Sequence, residues 1–340
     1  MARHLINGKK RGRRLRYSLI GVAIVIFILI PFVIESPYTM HLFIMAFVAA
    51  MLGMTFSMLF SSGQISLGGA APFAIGAYAS ALLTLDFKIS FWLALPAATV
   101  ITGILALGIG WVLCRHAGAA FVVLTMVFGL IVVQTAGQVE QFGGWGGLTS
   151  IPRPDAIANF QFVGKTPYYY LILFLLLLVM LLFYALYTSR FGRIFEAIKL
   201  SPHLAQSLGI NLFRYRLMAF VVASIVAGAV GSFYAHYARN ILPDTFGAWS
   251  SIRIQLYPVL GGLDYYILGP AVGAIIMTFV PEYLRIAKEV EPVITGMLLL
   301  LIIVFFPGGI LGVVVKSRPT VNLPVLIKRI RSWQTKKMAG

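Results

Sequence analysis

The chain has 340 residues, 60% of them hydrophobic and 11% charged, with a mean hydropathy of +0.92. A water-soluble domain of this size cannot hide that much apolar surface, so the composition excludes a soluble enzyme or binding module and points to an integral membrane protein. The net charge of +17 does not mark a nucleic-acid binder, because the lysines and arginines flank apolar segments: seven precede residue 17, seven lie from Lys316 onward and five fall between Arg190 and Arg216.

A spanning helix needs about 20 mostly apolar residues. Residues 1–16 form a basic tail, followed by an apolar run at 17–35. That run ends in ILIPFVIESP without a small-residue cleavage pattern, so it reads as a retained first span, a signal anchor. Further spans are expected at 40–60, 65–85, 90–113 and 118–136. The loop 137–166 contains QFGGWGGLTSIPRPDAIANF, whose glycines and prolines suit tight turns. A span at 167–188 leads into a second long loop, 189–216. There Ile194, Ala197 and Ile198, then Leu204, Ala205 and Leu208, recur near helical spacing, so two short amphipathic helices broken near Ser201-Pro202 are expected. Spans follow at 216–237, 266–285 and 293–314, with a weaker one at 245–262 that carries Arg253, Gln255 and Pro258. Residues 315–340 form a second basic tail.

Charge decides the weak segment. Two basic tails on the cytoplasmic side require an even number of spans. Counting 245–262 as crossing gives about ten, and places Arg115 and the 189–216 loop inside as well. The expected fold is therefore an all-α membrane protein with both termini cytoplasmic and a transmembrane domain over 17–314. Leu67-Gly68-Gly69 with Gly76 recurs in spacing as Leu260-Gly261-Gly262 with Gly269, a faint sign of an internal repeat.

Enzyme constellations are missing. Neither H-E-x-x-H nor G-x-S-x-G occurs, and His4, His41, His116, His203 and His236 are scattered. The only approach to a nucleotide loop, NFQFVGKT at 159–166, has Asn159 where glycine is needed. No catalytic, cofactor or metal site is expected. One cysteine, Cys114, permits neither an internal disulfide nor a cysteine metal site. The acidic residues cluster at span ends, which argues against an ion-coupled carrier with a buried proton relay.

The stretch SSGQISLGGAAPFAIGAYASALL (61–83) is apolar enough to span yet opens with Ser61, Ser62, Gln64 and Ser66 and a Gly68-Gly69 pair. Small residues let helices approach closely, hydroxyls and amides bond between helices, and Pro72 is expected to kink the segment. It resembles the GQ-x-SLG-x-A-x-F-x-x-IGAY signature of LivM-type permeases, the membrane subunits of branched-chain amino acid ABC importers. The resemblance continues in GAAFVVLTMVFG (118–129), GGWGGLTSIP (143–152), SRFGRIFEAIKLSPHLAQSLGINLFRYRLMAFVVASIVAGAVGSFYAHY (189–237), PVLGGLDYYILGPAVGAI (258–275) and FFPGGILG (305–312). Gly69 stands where the family often has His, and Asp264-Tyr265-Tyr266 replaces a smaller turn.

The resemblance implies a non-enzymatic permease in the bacterial inner membrane. Its implied partners are a second, LivH-type permease, two ABC ATPase subunits that hydrolyse ATP, and an extracytoplasmic substrate-binding protein. It implies a coupling segment at Glu196, Ala197, Leu204, Ala205, Leu208 and Gly209, which would carry ATPase motion into alternating access. Gln64, Ser66, Gly68, Gly69, Thr125 and Arg253 are the candidates for the translocation path. The implied cargo is leucine, isoleucine or valine; the alternatives are urea, amides or other small polar solutes, and an ion-coupled secondary carrier.

Overall fold

The structure, a computed structural model, describes residues 27–33, 36–156, 164–284 and 308–315, with Val25, Phe162, Gly296 and Leu300 as isolated positions. Expectations for the basic tails and most of the runs at 17–35 and 293–314 lie outside the described residues. Eleven helices are bounded among those residues: α1 (Pro37–Ser61), α2 (Ala70–Leu85), α3 (Phe91–Leu113), α4 (Ala119–Gln138), α5 (Lys165–Thr188), α6 (Arg190–Leu200), α7 (Pro202–Ser207), α8 (Leu212–Ala238), α9 (Ala248–Gly261), α10 (Leu268–Leu284) and α11 (Gly309–Val315). Of these, α1, α3, α4, α5 and α8 are long and apolar enough to cross a membrane, and α2 and α10 are shorter apolar helices.

Helix α1 is apolar all round and lies at the centre. Ile44, Phe47, Met51, Met54 and Met58 are buried on its different faces, as expected of a helix with no solvated stripe. It packs against α5, α8, α9 and α10. Outer helices bury only part of their surface. Val100, Ile104, Leu107 and Trp111 on α3, and Phe174, Leu178 and Leu181 on α5, form exposed apolar stripes. Such stripes suit lipid, which leaves packing and polar contacts as the forces between helices.

The packing has an exchanged symmetry. Helix α1 lies antiparallel on α10, with Phe43 against Phe279 and Gly53 beside Pro270, and α9 alongside. Helix α8 lies antiparallel on α3, with His236 against Phe91 and Phe220 beside Gly110, and α2 alongside. The helices α1 and α8 run oppositely, since His41 at the start of α1 meets Tyr237 at the end of α8. This pairs α2 with α9. The sequence echo at Leu67 and Leu260 instead pairs α2 with α10, so it does not mark the structural repeat.

Helix α9, the weak segment, leads from α2 to the hairpin that contains α6. Phe246, just before it, packs on Phe73 and Tyr78, while the turn just after it holds Asp264 against Lys199 of α6. Its 14 residues span about 21 Å. The loop expected at 189–216 contains α6 and α7, broken at Ser201-Pro202 as anticipated. Ser189 and Ser201 cap them by accepting from the amides of Phe191 and Leu204.

At the end opposite α6 and α7, a buried network ties the 148–156 segment to the bundle. Leu148 and Ile241 exchange backbone bonds of 3.0 and 2.9 Å. His236 Nδ1 donates to Pro152 O at 2.8 Å, its Nε2 lies 3.0 Å from Ser80 Oγ, and Ser232 Oγ donates to Ser80 Oγ at 2.7 Å. Each buried polar atom of this network has a partner, as burial requires.

Helices α2 and α8 meet backbone to backbone. A methyl group on Gly76 would strike the backbone of Gly228, and one on Gly231 would strike Phe73 O. We expect Gly76→Ala to lower stability by about 1–3 kcal/mol or more, because backbone cannot yield as a side chain can. A thermal-unfolding shift in detergent measures this, and a wild-type melting temperature in Gly76→Ala would refute the contact.

Candidate functional site

The helix expected from residue 65 begins at Ala70. Residues 62–69 are irregular backbone inside the bundle, and the cause is local sequence. Gly63 and the Gly68-Gly69 pair disfavour continuation of a helix, and Ser62 and Ser66 offer hydroxyls that compete for the backbone. Burial alternates along the stretch: Ser62, Gln64, Ser66 and Gly68 are buried, while Gly63 and Ile65 are exposed and Leu67 and Gly69 half-buried. Pro72 causes no kink. It is the third residue of α2, where its missing N–H has no intrahelical partner to lose.

Within a membrane the interrupted backbone must find partners in the protein. Three hydroxyls supply them. Leu67 N donates to Thr125 Oγ1 of α4 at 3.2 Å, Gly68 N to Ser66 Oγ at 3.2 Å, and Ala70 N to Ser251 Oγ of α9 at 3.1 Å. A methyl on Gly68 would strike the backbone of Thr125, whereas one on Gly69 would meet Ile254 Cγ2 at 3.6 Å, an ordinary contact. So Ser66, Gly68, Gly69 and Thr125 come together where α2, α4 and α9 converge. Ser251 completes the set; nothing in its sequence setting distinguished it, because its partner lies 181 residues away.

Gln64 and Arg253 stand apart from this group. Gln64 turns toward the end carrying α6 and lies against the thiol of Cys114, on which the charge of Arg216 also acts. Burial is the main cause that pushes the Cys114 thiol up to about 11. Arg253 is exposed on α9, within electrostatic reach of Tyr234 and Tyr257. Among the described residues, no three His, Cys, Asp or Glu side chains gather as a metal site would require.

The α6–α7 hairpin presents a distinct surface. Phe195, Ile198 and Ala205 are buried against the bundle, while Leu200, Leu204 and Leu208 are 79%, 62% and 72% exposed. They recur every four residues and form an apolar ridge beside exposed Glu196 and Gly209; Ala197 is half-buried. Gly209 has a practical reason to be glycine. Its φ is +82°, its N–H donates to Gln206 O at 2.9 Å, and Ile210 N donates to Ala205 O at 3.1 Å, the two bonds of a Schellman stop.

Lys199 ties this hairpin to the turn between α9 and α10. Its ammonium lies 3.4 Å from Asp264 Oδ1, donates to Tyr266 OH at 3.2 Å, and sits 4.4 Å from the centre of the Phe60 ring. Tyr266 in turn stacks on Tyr187 of α5. The exposed ion pair alone contributes little; the added hydroxyl and ring contacts set the position of the lysine.

The comparisons with known proteins agree on one family. The sequence profile of the branched-chain amino acid transport system permease component matches residues 38–307. The chain is 27% identical over 285 residues to the high-affinity branched-chain amino acid transport permease proteins LivM of Salmonella typhimurium and Escherichia coli, covering 77% of this chain and 66% of each relative. It thus spans about two thirds of the length of these relatives. Over 137 residues it is 30% identical to a probable branched-chain amino acid transport permease protein LivH of Methanocaldococcus jannaschii, covering 38% of this chain and 42% of the relative. No solved structure matches at a significant level.

The two neighbouring glycines of the interruption are expected to separate by substitution. Gly68→Ala should lower the melting temperature, whereas Gly69→Ala, at a helical φ of −61° with room for a methyl, should change stability by less than about 0.5 kcal/mol. Equal destabilisation of the two variants would contradict the geometry.

Proposed function

The chain belongs to the branched-chain amino acid transport permease family, and from that premise we propose that it is a membrane subunit of an ATP-driven importer moving leucine, isoleucine and valine inward. The observation that carries this reading is the irregular, hydroxyl-lined stretch 62–69, held inside an otherwise apolar bundle by Thr125 and Ser251. Interrupted backbone at membrane depth occurs where it is enclosed by protein or lines a polar cavity, and transporters place cargo sites at such breaks. Ser66, Gly68, Gly69 and Thr125 are the path residues in this reading. Gln64 stands at its inner end, and Arg253 supplies a cation for a carboxylate along it.

The apolar ridge of Leu200, Leu204 and Leu208 is the ATPase-docking surface in this proposal. Large exposed leucines on a capped, basic hairpin suit a protein partner, and Glu196, Ala197, Ala205 and Gly209 shape the same hairpin. Nucleotide-driven closure of an ATPase would shift α6. Through Lys199, Asp264 and Tyr266 that shift reaches the α9–α10 turn, and through α9 it reaches Ser251 at the break. Alternating access follows as a rigid-body response. The implied assembly holds this chain, a LivH-type permease, two ATPase subunits that carry the hydrolysis, and an extracytoplasmic binding protein.

Reconstitution of that assembly in liposomes tests the reading. ATP and binding protein together should drive leucine uptake, and this chain alone should show neither uptake nor ATPase activity. Uptake by the chain alone on an ion gradient would replace the importer with a secondary carrier, and uptake of urea in place of leucine would change the cargo. In the same assay, Arg253→Gln with unchanged apparent affinity would remove Arg253 from the path.

The docking surface has its own test. Leu204→Asp with Leu208→Asp should release the ATPase subunits in co-purification and lower uptake at least about tenfold, the effect of losing roughly 1.4 kcal/mol of interface energy. Co-purification at wild-type yield would place the ATPase contact elsewhere.

A further inference from the structure

A second polar cluster lies at the inner end of the bundle, directly beneath α6. Gln64 is 2% exposed and Arg216, in the first turns of α8, is 8% exposed. Neither Gln64 Nε2 nor Arg216 Nε has a hydrogen-bond partner. Gln64 Oε1 accepts from Ser62 Oγ at 3.4 Å, and its amide meets only the weakly accepting thiol of Cys114, on which Arg216 also acts. Helix packing fixes the meeting point, since Gly110, one turn before Cys114, sits against Leu217 and Phe220 beside Arg216. Among the described residues, no carboxylate acts on Arg216.

Buried donors require acceptors, and beside one positive charge this cluster offers them only a weakly accepting thiol. The acceptor such a set selects is anionic. A guanidinium N–H beside an amide N–H matches the two oxygens of a carboxylate. The cluster also lies close to α6. Gly63, next to Gln64, lies against Ile198 and Lys199 of α6, with Ile198 O 3.7 Å from where a methyl on Gly63 would stand. A displacement of α6 therefore acts on the backbone next to Gln64.

We propose that Arg216 and Gln64 form a carboxylate-binding subsite at the inner end of the chain, occupied by the carboxylate of the cargo as it leaves toward the cytoplasm. The proposal rests on the import reading above and adds the exit contact to it. The guanidinium and the amide hold the carboxylate while α6 is displaced, and return of α6 expels it.

Cys114, the only cysteine of the chain, provides the reporter. The complete assembly in lipid nanodiscs, nucleotide-free and vanadate-trapped, is treated with a methanethiosulfonate reagent, and modification of Cys114 is read by mass spectrometry. L-Leucine and isovalerate, which carry the carboxylate, should slow labelling by 1 + [L]/Kd in at least one nucleotide state, about threefold at twice Kd. Isoamylamine, which lacks it, should not. Arg216→Gln and Gln64→Leu should each abolish the protection relative to their own unliganded rate, and Arg216→Lys, which keeps the charge, should retain part of it. Protection by isoamylamine equal to that by leucine overturns the proposal, as does protection that survives both variants. So does a thiol that carboxylates never protect, or that never reacts in any state, in an assembly that transports leucine. If the assembly moves no branched-chain amino acid but isovalerate still protects Cys114, the subsite stands and the cargo assignment fails.

Discussion

The structure turns on a backbone constraint. Between α1 and α2 the chain is irregular for several residues inside an apolar bundle, where no water is at hand for its amides. An unmade buried hydrogen bond costs about 1–3 kcal/mol, so the amides of Leu67, Gly68 and Ala70 take hydroxyls from Thr125, Ser66 and Ser251. These donors and acceptors come from the break itself and the start of α2, from α4 and from α9, elements far apart in the chain. Satisfying one break therefore fixes the mutual placement of three helices.

Close packing does the rest. Helices in lipid gain little from burying apolar side chains against one another, so they associate where small residues let backbones touch. Gly76 on Gly228, and Gly231 on Phe73, draw α2 onto α8. The exchanged arrangement, with α1 on α9 and α10 and α8 on α2 and α3, leaves the break between the two halves. A site between two similar halves can be opened to either side by rocking one against the other.

The two ends of the bundle are built differently. The end near Pro152 is held by a fully bonded His236–Ser80–Ser232 network and by backbone pairing of Leu148 with Ile241. At the other end, Lys199 holds the α6–α7 hairpin to the α9–α10 turn through one exposed carboxylate, one hydroxyl and aromatic faces. Exposed contacts of this kind are weak and reversible, which suits the moving junction of the proposed import cycle. Beneath it lie Gln64 and Arg216, whose side chains both act on the thiol of Cys114.

Much was legible in the residues themselves. Apolar runs located the helices, and serine before a periodic segment located the starts of α6 and α7, because those signals act over a few residues. The weak segment at 245–262 holds the 14-residue helix α9, shorter than the run of about 20 apolar residues that crosses a membrane. The start of α2 was misplaced by five residues, because hydropathy records burial and not hydrogen bonding. Pro72 was misread as a kink for a related reason: its effect depends on position within the helix, which only the observed start at Ala70 fixed. Tertiary structure alone decided that Ser251 would satisfy Ala70, that Gly68 would be pressed against Thr125 while Gly69 kept room, and that Gln64 would lie against Cys114. Each of these is a contact between residues remote in the chain. A sequence specifies such contacts only through the packing of all its helices at once.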